Sequence, residues 1–128
     1  MSKIPVAKPL FWIASSRDDS RDLPKTVQSL FGFALRAAQR GGKSANAKPL
    51  KGFGGAGVLE VVSNFDGDTF RAVYTVSFAD HIYVLDVFQK KSTSGMATPK
   101  HDIDRIKARL KTAEQMHKTW LDQKAKLP

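Results

Sequence analysis

The stretch from Thr69 to Asp102, TFRAVYTVSFADHIYVLDVFQKKSTSGMATPKHD, decides the fold. Its first two thirds are rich in aromatic and β-branched residues and predict two strands, which are followed by a basic loop and the start of a helix. A turn at Ala79-Asp80 would join the strands, because two residues is the commonest hairpin loop length. This turn predicts three cross-strand pairs: Arg71 with Phe88, Tyr74 with Leu85, and Phe78 with His81.

Side chains alternate between the two faces of a strand, so this hairpin has a core face and a second face. The apolar residues predict the members of the core face: Phe70, Ala72, Tyr74, Val76, Phe78, Tyr83, Leu85 and Val87. On the second face, Arg71, Phe88 and Lys90 come together at one end. A guanidinium, an aromatic ring and an ammonium group on an open face can hold a phosphate and a base.

The other elements lie on both sides of this hairpin. We predict a strand over Lys8–Ala14, an amphipathic helix over 23–40, a strand over Val58–Phe65 with a hairpin turn at Asp66-Gly67, and a helix from Thr98-Pro99 to about residue 124. Residues 43–56 contain no clear element. The predicted fold class is α+β, with a small, mainly antiparallel sheet and helices packed on one face, in the order β-α-β-β-β-α.

The amino-acid composition limits the classes of function that the protein can have. The 128 residues suit a single domain over 1–128, and Lys and Arg number 21 against 12 Asp and Glu, giving a formal charge of +9. Such a charge favours a polyanion as partner. The absence of cysteine excludes disulfides and thiolate chemistry. Without a signal peptide or an apolar run of membrane length, we expect a cytoplasmic protein that does not bind a membrane.

Several segments together resemble the RelE/HigB superfamily of toxins from type II toxin–antitoxin modules, in particular the phage-derived HigB-like branch. The segments are KPLKGFGGAGVLE, FRAVYTV, IYVLDVFQKKS and TPKHDI, and the resemblance extends from about Lys8 to about Thr112. It implies a RelE-like sheet, cleavage of mRNA in the ribosomal A site, and an antitoxin partner, often a helix-turn-helix protein similar to HigA. It implies neither a small-molecule cofactor nor a metal.

The resemblance also suggests site residues. Arg71 matches the arginine that contacts the scissile phosphate, and Lys90 and Lys91 match a basic KK-S segment, so these three are the predicted catalytic residues. The predicted RNA-binding residues are Lys48, Lys51, Phe88 and His101. Two departures are evident: Val62 stands where several members have a basic residue, and the tyrosine or histidine that helps proton transfer has no clear match, His101 being a nearer candidate than His81.

Each of these residues has a purely structural alternative. Arg71 could form a salt bridge with Asp86 or Glu60, Phe88 could cap a minor core, and the two lysines could be solvated at a strand end. Alternative functions are a ParE-like inhibitor of DNA gyrase and a non-catalytic RNA-binding domain. The three histidines show no metal-ligand spacing, so we predict no metal site and expect cleavage by attack of the 2′-OH on the adjacent phosphorus.

Overall fold

The computed structural model describes residues 7–55, 57–90 and 98–127. Its helices and strands are β1 (Leu10–Trp12), α1 (Ser16–Arg21), α2 (Lys25–Gln39), β2 (Ala47–Pro49), β3 (Val58–Phe65), β4 (Asp68–Thr75), β5 (Ile82–Lys90) and α3 (Lys100–Ala125). The strands form one sheet in the order β1-β5-β4-β3-β2, in which only the β1–β5 pair is parallel. This confirms the predicted α+β class and adds the short α1 and β2 to the predicted order.

The β3–β4 hairpin follows directly from its sequence. Asp66 and Gly67 have φ values of 52° and 82°, the positive pair that a type I′ turn requires. The turn sets Phe65 opposite Asp68, and the register continues without a break to Val58 opposite Thr75. Both the predicted turn and the predicted bounds of β3 are confirmed.

The β4–β5 hairpin contains an irregularity that the sequence did not reveal. Arg71 lies opposite Phe88 as predicted, but a register shift after Val73 places Tyr74 opposite Val84 instead of Leu85. The connection covers residues 76–81, so the predicted two-residue turn is wrong. One extra residue in β5 forms a β-bulge, and a shift of one residue moves every later side chain to the other face of the sheet.

Helices consequently cover both faces of the sheet, where we had predicted one. On the first face α2 packs over a cluster that includes Val27, Phe31, Leu35, Val61, Ala72, Tyr74, Val84 and Val87. On the second face α3 contributes two residues to a second cluster, which we call the α3-side cluster. Its members are Ile13, Leu50, Val58, Val73, Tyr83, Leu85, Ile106 and Ala113. The bulge gives the second face its apolar cluster, because it turns Tyr83 and Leu85 away from Tyr74 and towards α3.

The two long helices start and end close to the predicted positions. α2 ends where Gly41, with φ 82°, allows the Gly42 amide to donate to the Ala37 carbonyl oxygen at 2.8 Å. α3 begins after Pro99, whose fixed φ suits a helix start. In the described ranges, no helix is both long and apolar enough to cross a membrane.

Candidate functional site: a groove beside a buried ion pair

A short edge strand brings the loop lysines to the second face of the sheet. β2 pairs with β3 so that Lys48 lies opposite Glu60, and Glu60 in turn lies opposite Val73 of the α3-side cluster. Directly opposite residues in an antiparallel pair have Cβ atoms about 5 Å apart. The Cβ atom of Lys48 therefore lies next to the Glu60 side chain. The sequence analysis predicted no strand in this region.

Arg71 is buried against this carboxylate. Its Nη1 lies 2.6 Å from Glu60 Oε2 and donates a second hydrogen bond to Thr98 Oγ1 at 3.1 Å. Only 4% of Arg71 and 6% of Glu60 are exposed. The expectation of an open face carrying the guanidinium is wrong, because α3 covers that face. The Glu60 salt bridge, one of the two structural alternatives, is the contact that forms.

A cavity of about 420 Å³ opens beside this ion pair. Its lining residues are Lys48, Pro49, Leu50, Lys51, Glu60, Thr98 and Ile103. We call this cavity the Glu60 groove. It combines a carboxylate held by a buried guanidinium, two predicted RNA-binding lysines, a hydroxyl group and apolar walls, which is the composition of a ligand site with a few oriented polar groups.

The remaining predicted site residues near the end of β5 differ in their burial and in the groups that they contact. Lys90 lies on the same face as Arg71, opposite Thr69, and is 8% exposed. Lys91 lies outside the described residues. Phe88 is half-buried: its ring packs against the α3-side cluster, with the Arg105 guanidinium carbon 5.4 Å from the ring centroid, and it also lines a cavity separate from the Glu60 groove.

His101 lines a different cavity. It lies in the first turn of α3, with Nε2 3.3 Å from Asp102 Oδ1 and a side chain that is 79% exposed. The cavity it lines, of about 460 Å³, includes Asp86, Arg105 and Arg109 but neither Arg71 nor Glu60. The structure therefore does not bring His101 together with the predicted catalytic arginine.

Asp86, the other predicted alternative partner of Arg71, forms a separate network. It accepts hydrogen bonds from Arg105 Nε at 2.7 Å and from Arg109 Nη1 at 2.9 Å. Burial raises the pKa of the Asp86 carboxyl, and the contacts and charges of the two arginines act in the opposite direction. This network holds the first half of α3 against β5. Asp86 thus pairs with arginines of α3, and Arg71 pairs with Glu60.

Glu60 is the functional candidate that the sequence analysis missed. A single acidic residue inside the apolar run VLEVV has no motif around it. One signal was available: a carboxylate in a buried strand needs a partner, and the Asp66-Gly67 turn places Arg71 opposite Val62, diagonally next to Glu60. Over the described part of the chain, no cluster of three His, Asp or Glu residues could hold a metal ion.

Comparison with known proteins adds a family and a fold. Residues 18–111 match the family described as "Phage derived protein Gp49-like (DUF891)". No curated protein sequence matches the chain. An arginine-to-alanine double mutant of the E. coli toxin RelE, solved in the free state, is similar in structure, with a TM-score of 0.50 and 19% identity over 68% of this chain and 87% of that chain. The chain thus belongs to the Gp49-like family of phage-derived proteins and has a RelE-like fold.

Proposed function

We propose that this protein, acting as a single domain over residues 1–128, is the toxin of a type II toxin–antitoxin module and cleaves mRNA on the ribosome. Three findings support the proposal: the Gp49-like family, the similarity in fold to the toxin RelE, and the formal charge of +9. The observation that carries the chemistry is the Glu60 carboxylate, held 2.6 Å from Arg71 in the wall of a groove that Lys48 and Lys51 also line.

In the proposed reaction the Glu60 carboxylate accepts the proton of a ribose 2′-OH. The 2′ oxygen attacks the adjacent phosphorus, and the bond from phosphorus to the 5′ oxygen breaks. A proton from the ammonium group of Lys48 or Lys51 passes to the leaving 5′ oxygen, so the products are a 2′,3′-cyclic phosphate and a 5′-OH. The same lysines stabilise the extra negative charge on the phosphorane, and no metal takes part.

Arg71 has a positioning role in this scheme, which differs from the direct phosphate contact that the resemblance implied. Its guanidinium donates a hydrogen bond to the Glu60 oxygen and so fixes the position of that oxygen. We retain Lys90, at the end of β5, and Lys91, outside the described residues, as proposed sources of positive charge. Phe88 and His101 have no assigned role in this reaction, because the structure places both away from the groove.

The ribosome and an antitoxin are the proposed partners. In this proposal the ribosome holds the mRNA so that a 2′-OH meets the part of Glu60 that lines the groove, and this positioning supplies much of the catalysis. The proposed inhibitor is a cognate antitoxin, a helix-turn-helix protein similar to HigA. The cytoplasm is the proposed location, since translating ribosomes are the target.

The test is to express the protein alone from a tightly regulated promoter and to map mRNA ends by primer extension. Wild type should arrest growth and cut translated mRNA, with cleavage unchanged by a chelator in a purified translation system. Glu60→Gln should lower cleavage by about 100-fold or more, because a positioned general base contributes about that factor. Glu114→Gln, an exposed and remote substitution on α3, is the matched control and should remain fully active.

Two results would overturn the proposal. Growth arrest without mRNA cleavage, together with accumulated DNA breaks, would indicate gyrase inhibition. RNA binding without cleavage or growth arrest would indicate a non-catalytic RNA-binding domain. Full cleavage by folded Glu60→Gln would refute the assignment of the base while leaving the nuclease activity intact.

A further inference from the structure

Four lysines form a straight row along the exposed side of α3. Lys100, Lys107, Lys111 and Lys118 are all exposed, and their spacing of 7, 4 and 7 residues is the repeat of one helix face. At 3.6 residues per turn they fall within about 40° of one another around the helix axis and span about 27 Å along it. We call these four residues the lysine row.

The lysine row is free of the ion pairs that use other charges on the same helix. Arg105 and Arg109 are bound to Asp86, whereas no salt bridge joins any of the four lysines to a carboxylate in the part of the chain that the structure describes. Asp104 and Glu114 lie three or four residues from members of the row and form no salt bridge with it among the described residues. The helix is held to the sheet by other residues, chiefly Ile106, Ala113 and His117, so the lysines are not needed for packing.

The lysine row continues the Glu60 groove. Ile103, one helical turn before Lys107, lines that groove, and the Lys107 ammonium nitrogen lies 6.0 Å from the centroid of Phe53, two residues after the groove lysine Lys51. Positive groups therefore extend from the groove along the outside of α3. The last member, Lys118, lies beyond residues 18–111, the range of the family match.

We propose that the lysine row binds the phosphate backbone of structured RNA next to the strand that enters the Glu60 groove. An ammonium group binds a phosphate as a point charge, and phosphate contacts carry no sequence information, so the contact should not depend on RNA sequence. An anionic membrane is the less favoured partner, because membrane-surface helices place several large apolar side chains beside their lysines, whereas Leu121 is the one exposed residue of that kind next to the row among the described residues. The inference rests on the proposed function only in naming RNA as the polyanion.

The test compares two triple variants that each remove three positive charges from the formal +9. One is Lys107→Gln, Lys111→Gln and Lys118→Gln in the lysine row. The matched control is Lys25→Gln, Arg36→Gln and Arg40→Gln, three exposed positions on α2 or at its C-cap, over the opposite face of the sheet. Each protein is titrated by fluorescence anisotropy against a labelled RNA hairpin with a single-stranded extension, and against the isolated extension, over a series of salt concentrations.

We expect the lysine-row variant to bind the hairpin roughly tenfold or more weakly at low salt, with a slope of log K against log salt smaller by about 2 to 3. Its affinity for the isolated extension should equal that of wild type. The control variant should keep the wild-type slope for the hairpin. Circular dichroism melting curves establish that both variants are folded.

Equal losses in the two triple variants would overturn the inference, because the effect would then be one of net charge alone. An unchanged slope in the lysine-row variant would overturn it too and identify the row as a solvated surface. Loss of binding to phosphatidylserine vesicles with unchanged RNA binding would identify a membrane contact instead. A protein that binds the hairpin through the row but cleaves no RNA would refute the proposed function and leave this inference standing.

Discussion

The α3-covered face of the sheet ends in two regions that bury polar groups in opposite ways. At one end, Glu60 and Arg71 are buried as a charged pair next to an open groove. At the other end, His81, Tyr83 and His117 form a hydrogen-bonded chain, with the tyrosine oxygen 3.1 Å from Nδ1 of each histidine. Aromatic rings, including that of Trp120 at 4.3 Å from His81, close this second region.

The two regions differ in the kind of polar interaction that they bury: an ion pair in the first and hydrogen bonds to a hydroxyl group in the second. A buried ion pair adds little net stability over apolar packing, so a charged pair beside a groove suggests a chemical role. In the second region the link is a neutral hydroxyl, which lies between two ring nitrogens and can donate to one of them while accepting from the other. The first region is suited to reaction, and the second holds the C-terminal half of α3 against the sheet.

The largest effect should follow from breaking the ion pair. Arg71→Met leaves the Glu60 carboxylate buried without its guanidinium and should lower the free energy of unfolding by about 3–5 kcal/mol. Adding Glu60→Gln to Arg71→Met should restore a large part of that loss, because the remaining amide is neutral. Urea unfolding of the two single variants and the double variant measures the coupling. Strictly additive losses would contradict a direct pair.

A smaller effect should come from the tyrosine between the histidines. Tyr83→Phe removes the hydroxyl that bonds both rings and should cost about 1–3 kcal/mol, the penalty for buried polar groups left without a partner. Tyr74→Phe is the matched control: the Tyr74 hydroxyl is buried and has no hydrogen-bond partner among the described residues, so its removal should be neutral or stabilising. A reversed order of the two variants would show that the histidine chain contributes nothing.

The smallest effect is a pH dependence that arises in the histidine region. Burial lowers the pKa of His81, as do the charges of His117 and Lys124, while Asp80 acts in the opposite direction. The unfolded chain therefore binds a proton at His81 more readily than the folded protein does. Stability should be constant above the ordinary histidine pKa of about 6.5 and should fall as the pH drops from there towards the folded pKa.

Urea midpoints at about pH 7.5 and about pH 5.5 measure this effect, which His81→Gln should reduce. A decline of equal size in His81→Gln would assign the pH dependence to other groups.

Local sequence signals predicted the parts of the fold that depend on local chemistry. The Asp66-Gly67 turn fixed the β3–β4 register, and helical periodicity predicted α2 and α3. The bulge after Val73 was not predictable, because it depends on which residues α3 must cover. Arg71 lies opposite Phe88 as predicted, yet its burial was missed, because the near-continuous apolar run IYVLDVF was interpreted as an alternating strand with one open face.

The most direct measurement uses a ribosome programmed with an mRNA that carries a single 2′-deoxy nucleotide on the 5′ side of the mapped cleavage position. The account predicts that wild-type protein cuts the all-ribose mRNA, leaving a 2′,3′-cyclic phosphate, and does not cut the substituted mRNA at that position. Cleavage of the 2′-deoxy mRNA at an undiminished rate would contradict attack by the 2′-OH and, with it, the role of Glu60 as the proton acceptor.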